Sequence, residues 1–120
     1  MDTKGRPLAE RLGFAWHGIA AAWRDEASFR WQVAAAVAVV VVLVAVRPEP
    51  SWWAMLLLPA ALVLAAELFN TALERVIDRL HPEYHPELEM AKDCAAGAVL
   101  VLSIGAVAVF VAFVADRWLS

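Results

Sequence analysis

Between Glu67 and Asp78 the chain sets Glu67, Asn70, Glu74 and Asp78 at offsets of zero, three, seven and eleven. At about 100° per residue the four fall near roughly 0°, 300°, 340° and 20° around a helix, forming one narrow polar stripe. The stripe runs straight on from the apolar segment Trp52 to Ala66. Acidic side chains at the edge of a membrane segment are expensive, and they point to a site for cations, protons or phosphates. Two further polar clusters are Asp25-Glu26 and Lys92-Asp93. Carboxylates from two helices with a lysine opposite suit phosphoryl transfer. Magnesium takes one or two carboxylates plus phosphate oxygens, and a lysine neutralises phosphate charge. A deeper carboxylate can accept a proton from a hydroxyl nucleophile, and Glu67, which abuts Ala65 and Ala66, is the deepest. The same residues could equally line a cation or proton pathway.

Other polar residues carry blander expectations. Arg75, Arg79 and Asp25 read as helix-end charges in solvent. His81 and His85 flank Pro82 and make no helical pair, so a metal role is not expected of them. Cys94, the single cysteine, reads as a small packing residue and excludes an intrachain disulfide. Neither GxxxxGK[ST] nor GxGxxG occurs, so the P-loop and protein-kinase frameworks are absent.

The elements that must position these residues follow from composition. The 120 residues amount to one domain, and 62% hydrophobic content with a mean hydropathy of +0.63 exceeds what a soluble domain of that length carries. The net charge of −3 and the scattered basic residues do not suit nucleic acid. Apolar runs occupy Trp31 to Val46, Trp52 to Ala66 and Ala95 to Ala115. Only the third reaches the roughly 20 residues needed to cross alone; the others cross if their helices extend into polar flanks. Two buried helices of a soluble bundle would be the alternative, but Val33 to Val46 is apolar on every face, more than so small a domain could cover. Pro48 and Pro50 enclose a turn, Pro82 and Pro86 break the chain again, and Pro86 with Glu87 and Glu89 reads as a helix start. The predicted architecture is an all-α membrane protein: a surface helix at about 7–23 and spans at about 27–46, 52–80 and 87–118. Pro59 is expected to kink the second span.

In the first helix Leu8, Leu12, Ala15, Trp16, Ile19 and Trp23 recur at helical spacing, an amphipathic pattern suited to the membrane surface. Packing on the protein's own spans and docking on lipid remain equal alternatives. Five Lys or Arg precede Trp31 (Lys4, Arg6, Arg11, Arg24, Arg30), and Arg75, Arg79 and Lys92 lie between the second and third spans. Only Arg47 and Arg117 fall on the opposite side, so the positive-inside bias puts the N-terminus and the acidic stripe in the cytoplasm. No basic, apolar, then small-residue pattern opens the chain, and a cleaved signal is not expected.

Several stretches resemble the prokaryotic diacylglycerol kinase family, which includes undecaprenol kinases. They are Ala21-Ala22-Trp23 with Glu26-Ala27-Ser28-Phe29-Arg30, the Glu67, Asn70, Glu74, Asp78 stripe, Pro82-Glu83-Tyr84-His85-Pro86, and Ala91-Lys92-Asp93-Cys94-Ala95-Ala96-Gly97-Ala98-Val99-Leu100. The resemblance runs from about Arg11 to Trp118. It implies a membrane lipid kinase, assembled as a homotrimer with composite sites, in the bacterial inner membrane. It also implies transfer of the ATP γ-phosphate to a lipid alcohol. Glu67 matches the family's catalytic base, and Glu26 and Glu74 the carboxylates that hold Mg2+ on ATP. Lys92 matches the phosphate-binding lysine, with Asp93, Asn70, Glu83, Tyr84 and His85 at the nucleotide. Trp16, Trp23, Glu67 and Ala96 are the expected lipid contacts. The chain departs from the best-known members where an arginine and a tyrosine contact the nucleotide: Pro7 and Phe14 stand there, and Arg6 or Arg11 is the available substitute. A serine near the lipid site becomes Ala96. The Pro82–Pro86 and Ala95–Ala98 pieces look more like the undecaprenol-kinase branch, so undecaprenol is the first expectation and diacylglycerol the second. The alternatives to a kinase are a proton or cation pathway and a structural membrane subunit.

Overall fold

The computed structural model describes residues 5–120; Lys4, counted above in the charge bias, lies outside the described residues. Four helices follow one another: α1 (Leu8–Asp25), α2 (Ala27–Val46), α3 (Pro50–Leu80) and α4 (Pro86–Val114), the last running into a terminal π-helical turn over Ala115–Leu119. Helices α2, α3 and α4, the last with its terminal turn, are long and apolar enough to cross a membrane, and no strand occurs among the described residues.

Local chemistry sets each boundary. Glu26 is extended (φ −120°, ψ 108°), a one-residue break between α1 and α2. Arg30 then turns back over this break: its guanidinium donates to the carbonyls of Trp23 at 2.6 Å and Arg24 at 3.2 Å. It thereby satisfies acceptors that the end of α1 would otherwise leave open, with positive charge where the helix dipole is negative. Helix α2 ends at Arg47, whose φ of 52° is left-handed. Pro48 follows, and Pro50 starts α3 at a position where a missing N–H costs nothing. At the other end Pro86 opens α4, capped by His85, whose Nδ1 accepts from the Glu87 N–H at 3.1 Å. Helix α3 runs unbroken through Pro59.

The three long helices pack up, down and up, with α3 central. Their core lies at the end remote from the acidic stripe, where Leu43, Leu56 and Phe113 are buried among Trp52, Trp53, Val109 and Phe110. Phe113 meets Trp52 and Trp118 edge to face at 5.3 and 5.8 Å between ring centroids. The C-terminal turn is tied to the α2–α3 corner by Trp52 Nε1 donating to Asp116 at 3.2 Å and by Arg117 against Glu49 at 3.2 Å. Most of the remaining apolar surface, including Val37, Val41, Leu58, Leu100, Val101 and Val107, faces outward. That inversion of a soluble protein is what lipid as solvent permits, since tails are as apolar as the side chains they touch.

Of the two alternatives for α1, packing along the chain's own spans is not found. Every residue from Leu8 to Ala20 is exposed, Trp16 at 71%, and only Ala21 and Ala22 sink against the bundle. Cys94, expected to pack, is also exposed.

Candidate active site

At 1.5 Å per residue, the 31 residues of α3 span about 46 Å, against a hydrocarbon thickness of about 30 Å. About 20 residues counted from Pro50 reach Phe69, so on length alone Glu67 falls near the end of a crossing of about 30 Å and Glu74 and Asp78 fall past it. Glu67 is 3% exposed, and its neighbour one turn on, Thr71, is buried as well. A carboxylate cannot be buried so without a donor. Its donor is Ser28, in the first turn of α2, whose hydroxyl gives a hydrogen bond to Glu67 Oε2 at 2.9 Å. Ser28 lies within the motif that carries the family resemblance but had no role in the sequence reading. Nothing in the spacing joins residues 39 apart in sequence.

One turn beyond Glu67, Asn70 Nδ2 donates to Glu74 Oε1 at 3.2 Å. This fixes the amide's orientation, because turning its oxygen toward the carboxylate would set two acceptors face to face. The Asn70 Oδ1 is then buried without a partner. An orphaned carbonyl-type oxygen beside a carboxylate is a donor set that suits a hard cation such as Mg2+ or a water bound to it. Among the described residues no group of three or more His, Cys, Asp or Glu could hold a metal. Glu26, the other expected metal carboxylate, is the half-buried residue at the α1–α2 break, and its side chain forms no hydrogen bond or ion pair among the described residues.

The third group lies beyond Glu74. Lys92 Nζ meets Asp78 at 2.9 Å, joining α3 to α4. The two line a cleft of about 210 Å³ with His81, Glu83, Tyr84, His85 and Glu89. Glu83, Tyr84, His85 and Lys92, expected together at the nucleotide, thus share one cleft. Asp93 is exposed and outside that lining, and so is Ala96. Trp16 and Trp23 are exposed along α1 and do not meet Glu67.

Arg75 and Asp25 are both exposed, with Asp25 ending α1, and they form an ion pair across the α1–α3 junction. Asp25, also bonded by Arg24 at 3.0 Å, is a tie between elements. The Arg24 hydrogen bond holds the Asp25 carboxyl below the usual carboxylate range; partial desolvation opposes it and Arg75 reinforces it. Sequence spacing could not reveal the Arg75 pair, which depends on how α1 folds back toward α3, whereas Arg24 is the chain neighbour of Asp25.

Fold and site together define a multi-pass helical membrane protein with one buried carboxylate on α3 and a polar cleft beyond it between α3 and α4. Residues 13–114 match the prokaryotic diacylglycerol kinase family. Similar proteins include a diacylglycerol kinase of Escherichia coli (strain K12), 37% identical over 100 residues, covering 83% of this chain and 82% of that one. A diacylglycerol kinase of Synechocystis is 41% identical over 80% of this chain and 55% of its own length. An undecaprenol kinase of Bacillus subtilis is 36% identical over 75% of this chain and 73% of its own. The chain belongs to the prokaryotic diacylglycerol kinase family, and it is by that membership a lipid kinase.

Proposed function

We propose that this kinase transfers the γ-phosphate of ATP directly to the primary hydroxyl of a membrane lipid, with Glu67 as general base. One observation supports this above the others: Glu67 is buried in the bundle, at the end of the apolar stretch of α3, and carries a single neutral donor. In the proposed reaction the Glu67 carboxylate accepts the hydroxyl proton as the lipid oxygen bonds to the γ-phosphorus. The bond from that phosphorus to the β–γ bridging oxygen breaks, and ADP leaves. No phosphoenzyme forms.

The rest of the site supplies position and charge, which carry most of the rate in phosphoryl transfer. Lys92 neutralises phosphate oxygens, exchanging its pairing with Asp78 for the nucleotide, and Glu83, Tyr84 and His85 edge the cleft that takes the base and sugar. Asp93 stands beside Lys92 in sequence and belongs to the same end. Glu74, with the Asn70 oxygen, would hold Mg2+, and Glu26 is the second carboxylate for it. An ion held there would supply positive charge against the charge developing on the phosphates. Trp16 and Trp23 on α1, and Ala96 on α4, face the lipid that Glu67 activates. The positive-inside bias argues for a cytoplasmic site in a bacterial inner membrane. Assembly as a homotrimer, which would let exposed Asp93, Ala96 and α1 meet a neighbouring copy, belongs to this reading. The substrate is undecaprenol first and diacylglycerol second, giving undecaprenyl phosphate or phosphatidic acid.

The test uses purified protein in mixed micelles with labelled ATP, Mg2+ and either lipid. Glu67→Gln keeps the shape and the Ser28 hydrogen bond but no longer accepts a proton. Removing a general base lowers kcat by about 10²–10⁴-fold, and we expect that loss with nucleotide binding retained. Full activity in Glu67→Gln would remove Glu67 as base, and failure to label either lipid would remove the proposed substrates. Ion flux in liposomes without ATP would favour a cation or proton pathway instead.

A further inference from the structure

Among the described residues Glu67 forms no ion pair. Three cations of this end of the bundle are engaged elsewhere. Arg30 bonds the carbonyls that end α1, Arg75 pairs with Asp25, and Lys92 pairs with Asp78. What Glu67 has is the hydroxyl of Ser28 on one oxygen, Oε2, at 2.9 Å. The other oxygen, Oε1, makes no hydrogen bond among the described residues. Helix geometry makes this contact specific. Ser28 occupies the first turn of α2, so the contact ties the start of that helix to α3. Phe29, the next residue, is buried against the bundle and pins the turn that carries the hydroxyl.

We propose that Ser28 is a positioning residue for the phosphoryl transfer: its hydroxyl locks the Glu67 carboxylate in one rotamer and reserves Oε1 for the lipid proton. The inference rests on Glu67 being the base. A neutral donor suits the task. A lysine or arginine in its place would neutralise the carboxylate it orients, and no donor at all would leave a buried glutamate free to rotate away from the lipid hydroxyl. Orientation of this kind matters because a misplacement of about 1 Å costs on the order of 10²-fold in rate. Ser28 touches neither substrate, so its removal alters the rate of transfer and leaves binding alone.

The experiment compares Ser28→Ala and Ser28→Thr in mixed micelles under saturating Mg2+ and ATP. Ser28→Ala should lower kcat about tenfold, the scale of one hydrogen bond to a charged group. KM for lipid and for ATP, and the unfolding midpoint in detergent, should stay at wild-type values. Ser28→Thr, which keeps the hydroxyl, should restore kcat. Should Ser28→Ala fail to assemble, Ser28→Cys keeps the volume with a much weaker donor and carries the same expectation. A second arm uses Glu67→Asp, whose carboxylate is drawn back by one methylene out of reach of the hydroxyl. There Ser28→Ala should cost nothing further, since coupled residues are not additive. Wild-type kcat in Ser28→Ala, a rise in KM with no change in kcat, or the same tenfold cost in both backgrounds would overturn the proposal. Glu67→Gln separates the two readings. An inactive Glu67→Gln beside a fully active Ser28→Ala sinks the positioning role alone, and an active Glu67→Gln sinks the base on which it rests.

Discussion

Phe113→Ala tests what holds the bundle together. Phe113 is fully buried, and three aromatic rings surround it: Trp52, Phe110 and Trp118. In a water-soluble core such a truncation costs about 3–5 kcal/mol, much of it from transferring the ring out of water. A helix unfolded within the membrane keeps its side chains in lipid, so that transfer contribution largely vanishes. What remains is lost packing and two edge-to-face pairs, each worth about 0.5–1.5 kcal/mol. The expected loss is therefore about 1–3 kcal/mol, below the soluble value. Lys92 lies 21 positions earlier in the chain, about 30 Å away along the helix axis. Lipid kinase activity per folded molecule should accordingly be unchanged at temperatures where the variant is intact. Reversible unfolding in mixed detergent micelles measures the first quantity, and phosphoryl transfer on the same preparation measures the second. A loss above about 4 kcal/mol would mean that Phe113 is shielded from water and not from lipid, contradicting the three-span reading. A fall in kcat without loss of stability would show that the two ends of the bundle are mechanically linked.

Lys92→Met should raise the ATP KM and lower kcat/KM by on the order of 10²-fold, as for other charge-stabilising donors. Asp78→Asn should change either by little, because it removes only an exposed pairing partner; equal effects in steady-state kinetics would show that the pair itself, and not the free lysine, does the work. Chelation of divalent ions should abolish transfer but leave the unfolding midpoint unchanged, since the described residues offer no three-ligand cage that a structural ion could occupy; retained transfer in excess chelator would refute the magnesium assignment. The Asp25 carboxyl is held below its usual range, so the stabilisation its pairing gives is fully present above that range and is lost as pH falls through its depressed value. Hydrogen exchange at the α1–α2 junction should stay protected from neutral pH down through the usual aspartate range and open only below it. Opening of the junction near neutral pH, or an Asp25→Asn variant that exchanges no faster than the parent, would contradict the tie to Arg75.

How much of this was legible in the sequence depended on the range of the interaction. The spans follow from local composition, because crossing hydrocarbon requires long apolar helices whatever the tertiary arrangement. Pro48, Pro50 and Pro86 mark their ends for equally local reasons, and the Glu67–Asp78 stripe follows from helical period alone. Pro59 shows the limit of such rules: proline removes one hydrogen bond, but α3 continues through it. The bonds that build the site were hidden because they join elements. Ser28 meets Glu67 across 39 residues, and Arg75 meets Asp25 across 50. Neither distance corresponds to any periodicity. The Arg30 bonds to the carbonyls that end α1 likewise depend on the break at Glu26, which no periodicity marks.

Lipid phosphorylation poses a solubility conflict, and α3 answers it by its length. A lipid hydroxyl stays near the hydrocarbon boundary, whereas a triphosphate with its metal cannot enter the apolar layer. Both must nevertheless meet in line. On one straight helix, Glu67 and Asp78 are 11 positions apart, about 16 Å, with Asn70 and Glu74 between them. That interval takes the polar groups from the end of the apolar stretch to the open cleft without any loop crossing hydrocarbon, where unpaired backbone groups would cost several kcal/mol each. Depth then sorts the chemistry. Lys92 and Asp78, at the outer end, can keep their charges hydrated. Glu67 at the inner end is buried, with the Ser28 hydroxyl bonded to one of its oxygens. If Glu67 is the base, as proposed, its burial limits the water that would compete with the lipid hydroxyl for the phosphoryl group, favouring phosphorylation of lipid over hydrolysis of ATP.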